Sequence, residues 1–138
     1  MTDISLTAAQ IRPLTENGAV LRRYTAGASI TIGDAVYVAS DGDVEPADGN
    51  AVASARAIGI AVASYDGETS VNSGDPVTVC VFGPVSGFSG MTPGANHYVS
   101  DEAGNVADSA GTCSRIIGYA ESATVLFVHP EQNDPSST

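Results

Sequence analysis

The sequence predicts an all-β protein, a single-domain antiparallel β-sandwich or barrel of about ten short strands with an irregular N-terminal arm. Three observations predict this fold. Short runs rich in valine, isoleucine, tyrosine and threonine alternate between two faces. Glycine-aspartate, aspartate-glycine and proline-glycine pairs, which favour turns, separate these runs. Finally, one strand-and-turn phrase occurs three times along the chain.

The repeated phrase reads "ITIGDAVYVASDGDV", then "VNSGDPVTVCVFGPV", then "MTPGANHYVSDEAGNV". Each copy places a glycine before a β-run, at Gly33, Gly74 and Gly94, and closes with a Gly-x-Val turn. Glycine adopts turn conformations in which other residues suffer a Cβ clash. Because the copies are few and unevenly spaced, they predict a repeated hairpin inside one domain and not a solenoid.

The chain divides into three predicted parts. Residues 1–17 form an arm with scattered apolar residues and no regular periodicity. Residues 18–128 form the β domain. Residues 129–138 are polar and contain two prolines, which predicts a flexible C-terminal tail.

Two segments inside the β domain need separate interpretation. The alanine-rich residues 50–64 allow one helical turn near residues 50–55, but Gly59 and the alternation around it predict a strand from Arg56 onwards. The segment "ATVLFV" is apolar on both faces. We therefore expect both of its faces to be covered, by the core and by a neighbour.

The charge is strongly acidic, with 16 acidic residues, five arginines, no lysine and a net charge of −11. This balance repels phosphate backbones, so we expect no direct nucleic-acid binding. It indicates solubility through net charge, or adaptation to a salty environment. No apolar run is long enough to span a membrane, and the first residues lack a signal-peptide pattern. With only Cys80 and Cys113, which predict reduced packing thiols, the sequence indicates assembly in a cytoplasm.

The sequence does not predict an enzyme or a cofactor. It contains no G-x-S-x-G nucleophile motif, no histidine or cysteine pairs at zinc spacing, and no phosphate-binding loop. The acidic loop "DGDVEPADGN", residues 41–50, could hold a calcium ion through its carboxylates. It lacks EF-hand spacing, however, and aspartate-glycine pairs also serve turns alone.

Three features of the sequence each allow two interpretations. The arm either closes the β domain of its own chain or reaches onto a partner. Arg22 and Arg23, in "LRRY", are either solvated or contact an acidic partner, because the planar guanidinium suits carboxylates. His97 aligns with Val36 and Val77 of the other copies, which predicts an inward side chain. It is either a base or metal ligand, or a histidine of the core or of a subunit interface.

The pattern as a whole resembles the small capsid decoration (cement) proteins of tailed viruses. The phrases that carry the resemblance are "GDAVYV", "ARAIGIA", "GMTPGANHYVSDEAGNV" and "IGYAESATVLFV", in that order, within residues 22–128. The resemblance implies a β-sandwich or barrel without enzymatic activity. It also implies a homotrimer that sits on the outer capsid surface of the virion and clamps adjacent capsomers against DNA pressure.

The resemblance also suggests which residues make contacts. Its partners would be the major capsid protein and two further copies of the chain. The capsid contact would come from the arm and the arginine pair, at Ile4, Leu6, Ile11, Leu14, Arg22 and Arg23. The trimer interface would include His97, Val125, Leu126 and Phe127. The alternative function is a binding module of a tail fibre or tailspike, or a binder of host-surface carbohydrate.

Overall fold

A computed structural model describes residues 2–131 and 136–137. It confirms the predicted fold class, because the chain is nearly all-β and forms one domain around a curled antiparallel sheet. The strands of the first half are β1 (Ser5–Leu6), β2 (Arg12–Pro13), β3 (Val20–Thr25), β4 (Ile30–Thr31), β5 (Ala35–Val38), β6 (Val44–Pro46) and β7 (Ala57–Ser64). Those of the second half are β8 (Ser70–Val71), β9 (Pro76–Ser86), β10 (Phe88–Ser89), β11 (Asn96–Val99), β12 (Val106–Ala107), β13 (Cys113–Ser114), β14 (Ile116–Ala120), β15 (Val125–Val128) and β16 (Ser136–Ser137).

The main sheet runs in the order β12, β11, β14, β15, β9, β7, β5, β6, and both β2 and β3 also pair with β9. The short strands form three further pairs, β1 with β10, β4 with β8, and β13 with β16. The long strand β9 therefore holds the domain together, because its two halves have different neighbours on both edges. The helical turn expected near residues 50–55 is present as α1 (Val52–Ala55), and the strand expected after it is β7.

The three copies of the repeated phrase make the same four-residue turn. The turns span residues 31–34, 72–75 and 92–95, and in each one the amide of the fourth residue donates to the carbonyl of the first. The third residue is the predicted glycine, with φ of 104° at Gly33, 94° at Gly74 and 85° at Gly94. A turn with a positive φ at its third position favours glycine there. The glycine that recurs in the repeated phrase is therefore explained by backbone conformation.

Each of these turns also holds a buried alanine in a reciprocal pair of hydrogen bonds. The turn glycine donates its amide to the alanine carbonyl, and the alanine donates its amide to the residue after the glycine. The three pairs are Gly33 with Ala61, Gly74 with Ala26, and Gly94 with Ala120, at donor–acceptor distances of 2.7 to 3.1 Å. The three copies of the phrase thus bond three turns to the middle of β7 and to the ends of β3 and β14.

The predicted arm lies against its own chain. Its strand β1 pairs with β10, its strand β2 pairs with β9, and two 3-10 turns (Ala8–Gln10 and Thr15–Asn17) join them to the body. The arm therefore closes the β domain of its own chain, which is the first of the two alternatives given for it above.

The predicted tail is bonded at its start. The amides of His129 and Glu131 donate to the carbonyls of Ile117 and Ile116, and the side chain of Pro130 is buried. The prediction that the flexible tail begins at residue 129 is therefore wrong for residues 129–131, because these residues belong to the body. Further along, β16 pairs with β13, and residues 132–135 and 138 of the predicted tail lie outside the described residues.

Candidate functional site: a docked arm and an aromatic face

The arm is anchored by Ile11, whose side chain is 1% exposed and belongs to the hydrophobic core. Two glycines make room for it. A Cβ atom added at Gly33 would lie 3.0 Å from the methyl groups of Leu6 and 3.3 Å from Ile11 Cγ1, and one added at Gly87 would lie 2.8 Å from the Ile11 backbone. The turn glycine of the first repeat therefore also forms the seat of the arm.

A polar clasp holds the start of the arm. The Ser100 hydroxyl donates to one carboxylate oxygen of Asp3 at 2.6 Å, and the Asn105 amide nitrogen donates to the other at 2.8 Å. The backbone amide of Ile4 donates to the Val106 carbonyl at 2.7 Å. Sequence reasoning missed Asp3, because nothing in the local pattern links it to a hairpin about a hundred residues away.

The structure changes the expected capsid contacts. Ile11 lies in the core, and Ile4 and Leu6 are half-buried against it, while Leu14 is half-buried and donates its amide to the Pro84 carbonyl. Ile11 is therefore wrong as a surface contact in the folded chain, because its side chain is enclosed by its own domain. Arg22 and Arg23 lie exposed on β3.

An aromatic cluster lies on the outer side of the sheet, across β9, β14 and β15. The rings of Phe82 and Phe127 meet edge to face at 5.1 Å, and the Phe82 ring meets that of His129 in the same way at 5.4 Å. The rings of Tyr119 and Phe127 stack at 5.2 Å. Such pairs stabilise a sheet by about 0.5 to 1.5 kcal/mol beyond their buried area.

Part of this cluster remains exposed to solvent. Phe82 is 42% exposed, and Val20, which pairs with Phe82 from β3, is 47% exposed. We name this surface the aromatic face and define it by Val20, Phe82, Tyr119, Val125, Phe127 and His129.

The aromatic face redefines the expected trimer interface. Along β15 the side chains alternate, so that Leu126 is fully buried while Val125 and Phe127 are half-buried on the other side. His97 is also buried, at 1% exposure, with its Nδ1 3.0 Å from the Ala95 carbonyl oxygen. Leu126 and His97 are therefore wrong as subunit contacts of the folded chain, because both lie inside it. The prediction that His97 points inward is correct.

Sequence reasoning missed four members of the aromatic face, namely Val20, Phe82, Tyr119 and His129. The available signal was Phe82, an aromatic residue predicted to lie opposite the valine face of β9. The pairing of Val20 with Phe82, and of Tyr119 with Phe127, depends on strand register that one sequence does not reveal.

A shallow groove of about 340 Å³ lies between β3 and the neighbouring elements. It is lined by Arg22 and Tyr24 from β3, by Ile58 and Val81, and by Arg115 and Pro130. Arg115 is buried and donates from Nη2 to the Ala57 carbonyl at 2.9 Å.

Two carboxylates of the acidic loop of residues 41–50 accept hydrogen bonds from groups nearby in sequence. Asp41 accepts the amide of Asp43, and Asp48 accepts both the amide of Asn50 and the hydroxyl of Ser54. Within the described ranges, no group of three or more histidine, cysteine, aspartate or glutamate side chains is placed to hold a metal ion. The geometry therefore favours turn chemistry over a calcium site for this loop.

Both cysteines are free and buried. Burial raises the pKa of the Cys80 thiol, and the Cys80 sulfur lies 3.4 Å from the Phe82 carbonyl oxygen, to which it can donate. A buried thiol with a raised pKa is a poor nucleophile. This matches the predicted role of Cys80 as a packing residue.

Asp34, in the first repeat, is an aspartate in an apolar position. Burial raises its pKa to about 6, although the Thr31 amide, which donates to its carboxylate at 2.9 Å, acts in the opposite direction. The backbone of Gly104 covers the carboxylate, since a Cβ atom added there would lie 2.6 Å from Asp34 Oδ1. The folded chain therefore disfavours the charged form of Asp34.

This shift predicts a pH-dependent stability. Because the pKa of Asp34 is higher in the folded than in the unfolded chain, its ionisation destabilises the fold as pH rises from about 4 to 6, and the cost persists above that window. We expect Asp34→Asn to raise the free energy of unfolding at pH 7 by up to about 3 kcal/mol, and by much less at pH 4. Urea unfolding of both proteins at the two pH values measures this. An equal difference at both pH values would contradict it.

Neither known protein-family models nor curated protein sequences give a match to this chain. In the part of the chain that the structure describes, no helix has the length and apolar character needed to cross a membrane.

Proposed function

We propose that this chain is a structural virion protein that binds the outer capsid surface of a tailed virus as a homotrimer. It clamps adjacent subunits of the major capsid protein and so stabilises the DNA-filled head. The sequence resemblance to capsid decoration proteins supports this proposal. In it, the chain acts by binding and not by catalysis.

The observation that carries the proposal is the combination of a stiff body with an exposed aromatic face. The central strand β9 is paired along its length, the three repeated turns are each bonded to a neighbouring strand or to its end, and the arm packs on the domain. Phe82 and Val20 of the face are partly exposed and can contact other subunits. A clamp needs both properties, because it must transmit force between the partners that it joins.

Arg22 and Arg23 remain the expected contacts to the shell. Both are exposed on β3, and neither has an ion-pair partner among the described residues. Because the rest of the chain is acidic, an exposed arginine pair is the feature best suited to carboxylates of a capsid subunit. The exposed outer side of the arm would lie next to the shell in this arrangement.

Co-sedimentation with undecorated heads of the virus that encodes the chain tests the proposal. We expect saturable binding that persists after washing, and weaker binding of Arg22→Glu/Arg23→Glu. The control is Arg56→Glu, since Arg56 is exposed and directly follows α1, outside both the arm and β3. A folded chain that stays in the supernatant would overturn the proposal, and binding to host cell surfaces instead would favour a host-binding module.

A further inference from the structure

We propose that the aromatic face is the surface through which copies of this chain associate with one another. The inference deepens the proposed function and rests on its homotrimer, because it assigns the subunit contact to a defined part of the fold. It commits to a second copy of this chain as the occupant of the face. The argument combines the exposure of the face with the distribution of charge.

The exposed apolar area is concentrated on neighbouring strands. Val20 and Phe82 are 47% and 42% exposed, and Tyr119 is 39% exposed. These residues lie on β3, β9 and β14, which β15 connects. Phe127 of β15 fills the space between Phe82 and Tyr119, so the exposed residues form one continuous patch. Contiguous apolar patches on a soluble domain commonly mark an interface.

The charge distribution identifies a second copy as the occupant. The chain carries a net charge of −11, so most of its surface repels another copy. The four strands that build the face contain no aspartate or glutamate. Two such faces can meet without burying a carboxylate, which would cost several kcal/mol if it were left unpaired. A strongly acidic chain can therefore associate with a second copy of itself through this face.

Aromatic side chains are well suited to such a contact. Tyrosine and phenylalanine are enriched in the buried centres of subunit interfaces. The rings of the face are already fixed by their mutual contacts at 5.1 to 5.4 Å. Because they are ordered before association, little side-chain entropy remains to be lost when a second face covers them.

The test compares two identical substitutions at exposed valines. Val20→Glu places a carboxylate in the face, whereas Val52→Glu places one in α1, where the valine is 37% exposed. Sedimentation velocity over micromolar concentrations should give an oligomer for the natural chain and for Val52→Glu. We expect at least about tenfold weaker association for Val20→Glu. Unfolding midpoints of the three proteins establish that each one is folded.

Two outcomes would overturn the inference. One is a natural chain that keeps its single-chain mass of 13.9 kDa throughout, and the other is unchanged association of folded Val20→Glu. If Val20→Glu proves unfolded, Phe82→Ser, at an exposed side chain, provides the same comparison against Tyr65→Ser in the loop after β7. Trimers that ignore viral heads would refute only the capsid function, whereas head binding by an unaltered Val20→Glu trimer would refute only the assignment of the face.

Discussion

Replacing Gly118 by alanine is expected to lower the free energy of unfolding strongly, and so is replacing Gly59 by alanine. These two changes should destabilise the fold more than any other single addition of a methyl group to this chain. A Cβ atom added at Gly118 would lie 2.1 Å from the Phe127 carbonyl oxygen, and one added at Gly59 would lie 2.1 Å from the Cys80 carbonyl oxygen. Both obstacles are backbone atoms of neighbouring strands, which cannot move without breaking the sheet. We expect the free energy of unfolding to fall by about 3 kcal/mol or more for each change.

The control for this prediction is Gly67→Ala. Gly67 has a φ of 79° and no atom within 4 Å of the added Cβ, so alanine there meets backbone strain without a steric clash. That strain costs about 1 to 2 kcal/mol. Urea unfolding of the three variants measures the difference. A loss at Gly118 no larger than the loss at Gly67 would show that β14 and β15 are not as close as the structure places them.

Removing the arm is expected to unfold the domain or to destabilise it severely. Deletion of residues 1–14 removes Ile11 from the core, the Asp3 clasp, and the strands β1 and β2. The single change Ile11→Ala should lower the free energy of unfolding by about 2 to 5 kcal/mol, since it leaves a cavity in a packed core. Thermal and urea unfolding report both effects.

The matched control is Gln10→Ala, which alters an exposed side chain beside Ile11. We expect a change within about 0.5 kcal/mol. If instead the truncated chain unfolds with the stability of the full chain, the arm is not part of the core, and the capsid contact predicted for Ile11 from sequence becomes tenable again.

The turns that open the three repeats could be predicted from the sequence, because glycine in this pattern indicates a positive φ. All six glycines that define the repeats have positive φ, at positions 33, 42, 74, 83, 94 and 104. The turn predicted at the close of the second copy is wrong, because Gly83 lies inside β9. Gly59 and Gly118 lie at the same place in the similar phrases "ARAIGIA" and "SRIIGYA". Their role in close strand approach appears only in the structure, since neither of them has positive φ.

The faces of β9 could not be predicted fully, because a bulge breaks the alternation. Strict alternation places Val77, Val79 and Val81 on one face. In the structure, Val20 pairs with Phe82 and Leu21 pairs with Cys80, so Val81 has no direct partner on β3. Such a bulge shifts every later side chain relative to a simple period of two. The pairing of Phe82 with Val20, and with it the β3 side of the aromatic face, follows from this bulge.

The sequence could not predict whether the arm packs on its own chain or on a partner, and the reason is a different one. Isolated apolar residues such as Ile4, Leu6 and Ile11 predict that a segment is covered, but not whether its own chain or a partner covers it. In the structure the arm is covered by its own chain, where Gly33 and Gly87 leave room for it. Among the described residues, the exposed surfaces that can meet partners include the arginines of β3 and the aromatic face.

The central claim is that the chain acts as a clamp on a viral shell, and the temperature at which DNA-filled heads release their DNA tests it most directly. Heads that have been stripped of the protein and then saturated with it should release DNA at a higher temperature than stripped heads. Stripped heads incubated with Arg22→Glu/Arg23→Glu, which is expected to bind weakly, should behave like stripped heads. Saturable binding with no change in the release temperature would contradict the claim, because the protein would then attach without bearing load.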